Sequence, residues 1–220
     1  MLALGIFFLE LFFIFLFSKH LQIALSRAFY SLTHSIHKTA GLMAFLFLPG
    51  TIIHELAHVL VAGMMLVESS DIEFMPEIRE DGVKLGSVQI HKTDPIRRTI
   101  IGIAPVLVGL GLIFALSWYA ISNPLTWGLW ALFFYLIFEI SNTMFSSKKD
   151  MEGTLVVFAL VLAIFIALYL MGFLNPAAIL ASPFGQKLLQ VLKKANLFLS
   201  IPIIIDILVL SLIKLTSKRS

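Results

Sequence analysis

Long apolar blocks alternate with short polar segments along this chain. A helix needs about 20 consecutive apolar residues to cross roughly 30 Å of hydrocarbon. On that measure six stretches qualify as spans: 1–17, 41–66, 99–121, 126–145, 153–173 and 197–215. The pattern predicts an all-α polytopic membrane protein, one integral membrane domain over 1–220. Between the first two spans, Leu21, Leu25, Phe29, Leu32 and Ile36 interleave with Lys19, Gln22, Arg27 and His37. This is helical amphipathic spacing, and it predicts a helix over about 19–38 lying at the interface, with His20, His34 and His37 on its solvated face.

The sizeable polar loop departs from this period. Within it, D-I-E-F-M-P-E-I and V-K-L-G-S-V-Q-I-H-K alternate roughly every second residue and are joined by E-D-G. Alternation around a turn signal predicts a β-hairpin over about 68–95 at the membrane face, with His91 facing solvent. Its strand edge is a surface onto which an extended peptide can add.

Composition makes the solvent unambiguous. Apolar residues are 59% of the 220 and charged residues 13%, against nearly half and a quarter in soluble domains. The partner this implies is the lipid bilayer. The net charge of +3 is spread over loops and tail with no basic block, which argues against nucleic acid. Cysteine is absent, so disulfides and thiolate metal sites are excluded. Residues 1–17 lack a basic leading segment and a small-residue cleavage site, so they are expected to be a span and not a signal peptide. Lysine and arginine favour 68–98, 146–152 and the tail over 18–40 and 174–196, which predicts a cytoplasmic N-terminus and hairpin in a multi-pass cell-membrane protein.

Against this apolar background, T-I-I-H-E-L-A-H at 51–58 stands out. H-E-x-x-H on a helix puts His54 and His58 on one face, one turn apart, where both imidazoles reach a single Zn²⁺. Glu55 beside them is placed to take a proton from a metal-activated water. Such groups inside a span are costly unless paired or metal-bound. Pro49-Gly50 is expected to break or kink the helix, with Thr51 as the N-cap of the segment that follows. A catalytic zinc needs a third protein ligand as well as an open position. Glu139, Asp150 and Glu152 are the acidic candidates, and Glu139 is also one helical turn from Asn142, a natural partner. Glu10 and Asp206 are intramembrane acids on the first and last spans, outside this core.

H-E-L-A-H-V-L-V-A, R-R-T-I-I-G-I-A-P at 97–105, a strand pair between two helices, and Asn142 eight residues before Asp150 together resemble the site-2 protease family of intramembrane zinc metalloproteases. The resemblance covers roughly 45–153 and implies a catalytic core at about 41–153. Ala104-Pro105 stands where the family has a Gly-Pro turn, while Phe145 and Met151 stand where it has proline and glycine. The resemblance implies hydrolysis of peptide bonds in transmembrane protein or peptide substrates, with His54, His58 and Asp150 as zinc ligands, Glu55 as general base and Asn142 as a substrate contact. Two alternatives stay open: a CAAX-prenyl-protease-type zincin with Glu139 as third ligand, and a non-proteolytic relative acting as metal transporter or inactive scaffold.

Overall fold

The computed structural model describes residues 2–73, 77–79, 82–145, 159–160, 163–164, 166–172 and 181–217. Asp150 and Glu152, the turn at 80–81 and most of the span expected at 153–173 lie outside the described residues. Among the described residues the fold is carried by α1 Leu2–Thr33, α2 Ile36–Leu46, α3 Leu48–Met64, α4 Pro95–Ser122, α5 Trp127–Thr143 and α6 Pro183–Ser217. Among the described residues, α1, α4 and α6 are long and apolar enough to cross a membrane, and α2 with α3 form a further, sharply bent pair. The frame is that of a helical membrane protein.

Two helix boundaries differ from expectation. α1 is one continuous helix of 32 residues, so no separate interfacial helix over 19–38 forms. Its second half is held by packing: Leu21 and Leu25 are buried with Met43, Phe47 and Phe138, and Phe29 packs against them, while Leu32 and Ile36 at the far end of the stripe stay exposed. The chain reverses at His34, whose φ of 49° closes α1, and Ser35 then caps α2. His20, His34, His37 and His91 are all exposed, as expected.

The second difference is the break within 41–66. It falls at Phe47, where α2 and α3 meet at 69°, and Pro49 sits in the first turn of α3. A proline is accommodated there because the first-turn amides have no helical partner to lose. Thr51 is therefore inside α3 and is not its N-cap; its N–H already reaches Phe47 O at 2.9 Å. At the other end, Val67 N reaches Ala62 O at 2.9 Å and Leu66 N reaches Gly63 O at 3.1 Å, a Schellman closure with Leu66 at φ 57° in the position glycine usually takes.

α1 and α6 run in the same direction. Asn196 Nδ2 donates to Ala3 O near the start of α1, and Leu21 and Leu25 share a cluster with Val209 and Ile213 further along both. The main apolar core joins α1, α4, α5 and α6 through Ile14, Ile113, Ile137, Ile140, Phe198 and Leu199. A smaller cluster of Ala62, Val67 and Ile101 seats the end of α3 on α4.

The segment between α3 and α4 doubles back on itself. Single antiparallel bridges join Ser69 to Ile90 and Glu73 to Ser87. Beyond them β1 (Glu77–Arg79) pairs antiparallel with β2 (Gly82–Lys84), Ile78 opposite Val83. α4 then starts cleanly, with Asp94 as N-cap accepting from Ile96 N and Arg97 N at 3.1 and 3.0 Å. Ala104 and Pro105 lie inside α4 and are buried, so the turn that the resemblance suggested there does not form.

Candidate metal centre

The four-residue spacing of His54 and His58 on α3 stacks their rings one turn apart, and both are at least 94% buried, at 4% and 6% exposure. The rings stand edge to face, 4.8 Å between centroids. Their Nε2 atoms approach to 3.2 Å. Two nitrogens bound to one tetrahedral zinc at about 2.05 Å lie about 3.3 Å apart, so the pair is already spaced as ligands. Two nitrogens at this spacing suit two positions of a zinc ion, and the same 3.2 Å is also hydrogen-bond distance between the rings.

The orientation of His58 is set from α4. Its Nδ1 lies 2.8 Å from Ile101 O. A carbonyl oxygen only accepts, so Nδ1 carries the hydrogen and the lone pair of a neutral ring is left on Nε2, facing His54. Ligating histidines commonly have their second nitrogen held by such an acceptor. Glu55 is buried at 7% exposure beside them. None of His54, Glu55 and His58 is a free side chain.

The returning arm of the loop lies against this helix. A Cβ on Gly86 would come within 2.7 Å of Thr51 Cγ2 and 3.5 Å of Glu55 Cγ. Only a residue without a side chain lets the arm rest that close. Ser87, next in sequence, exchanges both backbone hydrogen bonds with Glu73 at 2.8 and 2.9 Å. Extended backbone therefore passes directly over the carboxylate-bearing turn of α3.

The other expected site residues sit elsewhere. Glu139 is fully buried, and its Oε2 accepts from Gly50 N at 3.2 Å. It does not join the histidines: among the described residues no three His, Asp or Glu side chains form a group able to hold a metal. Nor does it bond to Asn142, the partner its spacing suggested. Asp150 lies outside the described residues.

Asn142 is fully buried, and its Nδ2 donates to Asp206 Oδ1 at 2.8 Å and to Phe138 O at 2.9 Å. Both amide hydrogens are thus committed, and the side chain has no N–H left for a substrate in this arrangement. The backbone O of Asn142 accepts from Gln22 Nε2 at 2.8 Å. Gln22, Asn142 and Asp206 thereby knot α1, α5 and α6 together. Sequence reading did not find this knot, because its members are separated by 120 and 64 residues. The unusual cost of an acid within an apolar run was the available signal for Asp206.

Among protein-family models, curated proteins and solved structures, none matches this chain.

Proposed function

We propose that this chain is an intramembrane zinc metalloprotease of the site-2 protease kind, hydrolysing peptide bonds of membrane-embedded protein substrates. The observation that carries this reading is the buried convergence of His54 and His58 Nε2 to 3.2 Å, with Glu55 on the same turn. His54 and His58 would hold the ion through Nε2, and Asp150 is the proposed third ligand. Zinc bound there would supply Lewis-acid activation of a water and of the scissile carbonyl.

The protein's own groups do the rest. The Glu55 carboxylate takes the proton shed by the attacking water and returns it to the departing amine. Ile101 O holds the His58 ring in place throughout. Helical substrate must unwind before hydrolysis, because its carbonyls are hydrogen-bonded and sheathed by side chains. The arm carrying Gly86 offers extended backbone beside Glu55 against which an unwound segment can pair. This favours the arm over Asn142 as the substrate contact. A multi-pass arrangement with a cytoplasmic N-terminus in the cell membrane completes the proposal; the expected six spans do not fit, because six alternating crossings would set the first and last helices antiparallel, whereas α1 and α6 are parallel.

The test is Glu55→Gln in purified protein. Zinc should stay near one per chain while cleavage of a transmembrane substrate is lost. Retained cleavage in that variant sinks the reading.

A further inference from the structure

An α-helix interior is an unfavourable place for proline, which removes one N–H and pushes its ring against the carbonyl four residues earlier. In α4 that proline is Pro105, and the carbonyl four residues earlier is Ile101. This is the same oxygen that accepts from His58 Nδ1 at 2.8 Å. A residue with an N–H at 105 would turn that hydrogen toward Ile101 O and close the helical ladder. With proline there, the oxygen loses the regular donor four residues on in its own helix, and in an apolar interior it needs a replacement. The imidazole of α3 supplies it.

We propose that Pro105 is a positioning residue for the histidine pair: by withholding its helix's hydrogen bond it frees the Ile101 carbonyl, which aims His58 Nε2 at His54. The chain of cause runs from a missing hydrogen at 105, to an unclaimed acceptor at 101, to a fixed tautomer and ring orientation at 58. Burial supports it. Ala104, Pro105 and Ile101 are all buried, so water does not compete for the freed oxygen. The cluster of Ala62, Val67 and Ile101 holds α3 and α4 together beside this bond. The ordinary alternative is that Pro105 is a tolerated kink with no bearing on the site, since prolines are common in membrane helices. The two accounts diverge sharply on replacement by alanine. A tolerated kink predicts a more stable helix and an unchanged His58.

The part of this inference that concerns zinc affinity rests on the metalloprotease reading; the hydrogen bond does not. The experiment is Pro105→Ala in the full chain, beside a variant carrying an α-hydroxy acid at 105. That ester lacks the backbone N–H as proline does, but has no ring. Three quantities are read: the ¹⁵N signals of His58 without metal, assigned by comparison with His58→Gln; zinc affinity by competition; and thermal unfolding. Pro105→Ala should shift the His58 Nδ1 signal toward a weaker hydrogen bond and weaken zinc binding by roughly tenfold, the usual effect of losing an outer partner of a ligand. It should do so while melting no lower than wild type. The ester variant should restore both the signal and the affinity. An unchanged His58 signal in Pro105→Ala overturns the proposal, and so does an ester variant that behaves like alanine. If wild type binds no zinc, the protease reading fails on its own, and the metal-free His58 signal still decides whether Pro105 positions the ring.

Discussion

Glu139 Oε2 accepts a hydrogen bond from the backbone amide of Gly50 at 3.2 Å, which ties the C-terminal part of α5 to the first turn of α3. Phe47, the N-cap residue of α3, makes no side-chain cap, so this carboxylate from another helix takes over part of that role. The contact needs Gly50: a Cβ there would lie 2.6 Å from Thr143 Oγ1 and 2.7 Å from Glu139 O. Gly50, His54 and His58 recur every four residues along α3, so the point where α5 grips the helix is in line with the histidines.

A capping role and a ligand role for Glu139 make opposite predictions. Glu139→Gln keeps an acceptor oxygen and should hold zinc near one per chain. Glu139→Ala leaves the Gly50 amide unpaired in an apolar interior and should cost about 1–3 kcal/mol of stability. Metal analysis beside thermal unfolding in detergent checks both. Loss of zinc in Glu139→Gln comparable to that in His54→Ala would return Glu139 to the ligand set.

The arm over Glu55 gives a prediction about substrate and not metal. Gly86→Leu puts side-chain atoms where Thr51 Cγ2 and the Glu55 side chain already sit, so the arm must lift from α3. A displacement of about 1 Å in positioning elements can cost roughly a hundredfold in rate. Cleavage should therefore fall by more than tenfold while zinc content holds at the wild-type level. Undiminished cleavage argues against the arm as the substrate edge.

What was legible beforehand, and what was not, divides along physical lines. The apolar runs and the H-E-x-x-H spacing are local patterns, and α3 with its buried histidines follows from them. The continuation of α1 through Leu21 and Leu25 was not legible, because an interfacial helix and a helix packed on α2, α5 and α6 present the same amphipathic stripe. Proline was misjudged for a similar reason. Pro49 and Pro105 are equally strong breakers on paper, yet one sits in a first turn that has no bond to lose and the other has its freed carbonyl satisfied from α3. Glu139 and Asn142 invite pairing by spacing, but partners 89 and 64 residues away claim them instead. Long-range polar pairing leaves no periodic trace.

The Asn142–Asp206 bond is such a long-range pair, and a double-mutant cycle measures it. Both side chains are fully buried and 2.8 Å apart. Unfolding free energies of Asn142→Ala, Asp206→Ala and the double variant should reveal a coupling of about 0.5–3 kcal/mol, as for contacting residues in one network. Additive effects would mean that α5 and α6 are held by their apolar contacts alone.

The start of α4 carries a pH dependence whose sign is set by Asp94. Hydrogen bonding from the Arg97 amide, and then the nearby Arg97 guanidinium at 3.2 Å and the Ile96 amide, stabilise its charged form and hold the carboxyl below its ordinary value. A depressed folded pKa means that the cap contributes its stability above the unfolded value, about 3.9, and loses it as pH falls through the folded one. Asp94→Asn keeps a capping oxygen without the titration. Wild type should therefore be the more stable protein at neutral pH, with the gap closing as the solution is acidified below about pH 4. Melting curves of the two proteins in the same detergent across that range check it. A gap that stays constant with pH, or widens on acidification, would remove Asp94 as the source of the effect.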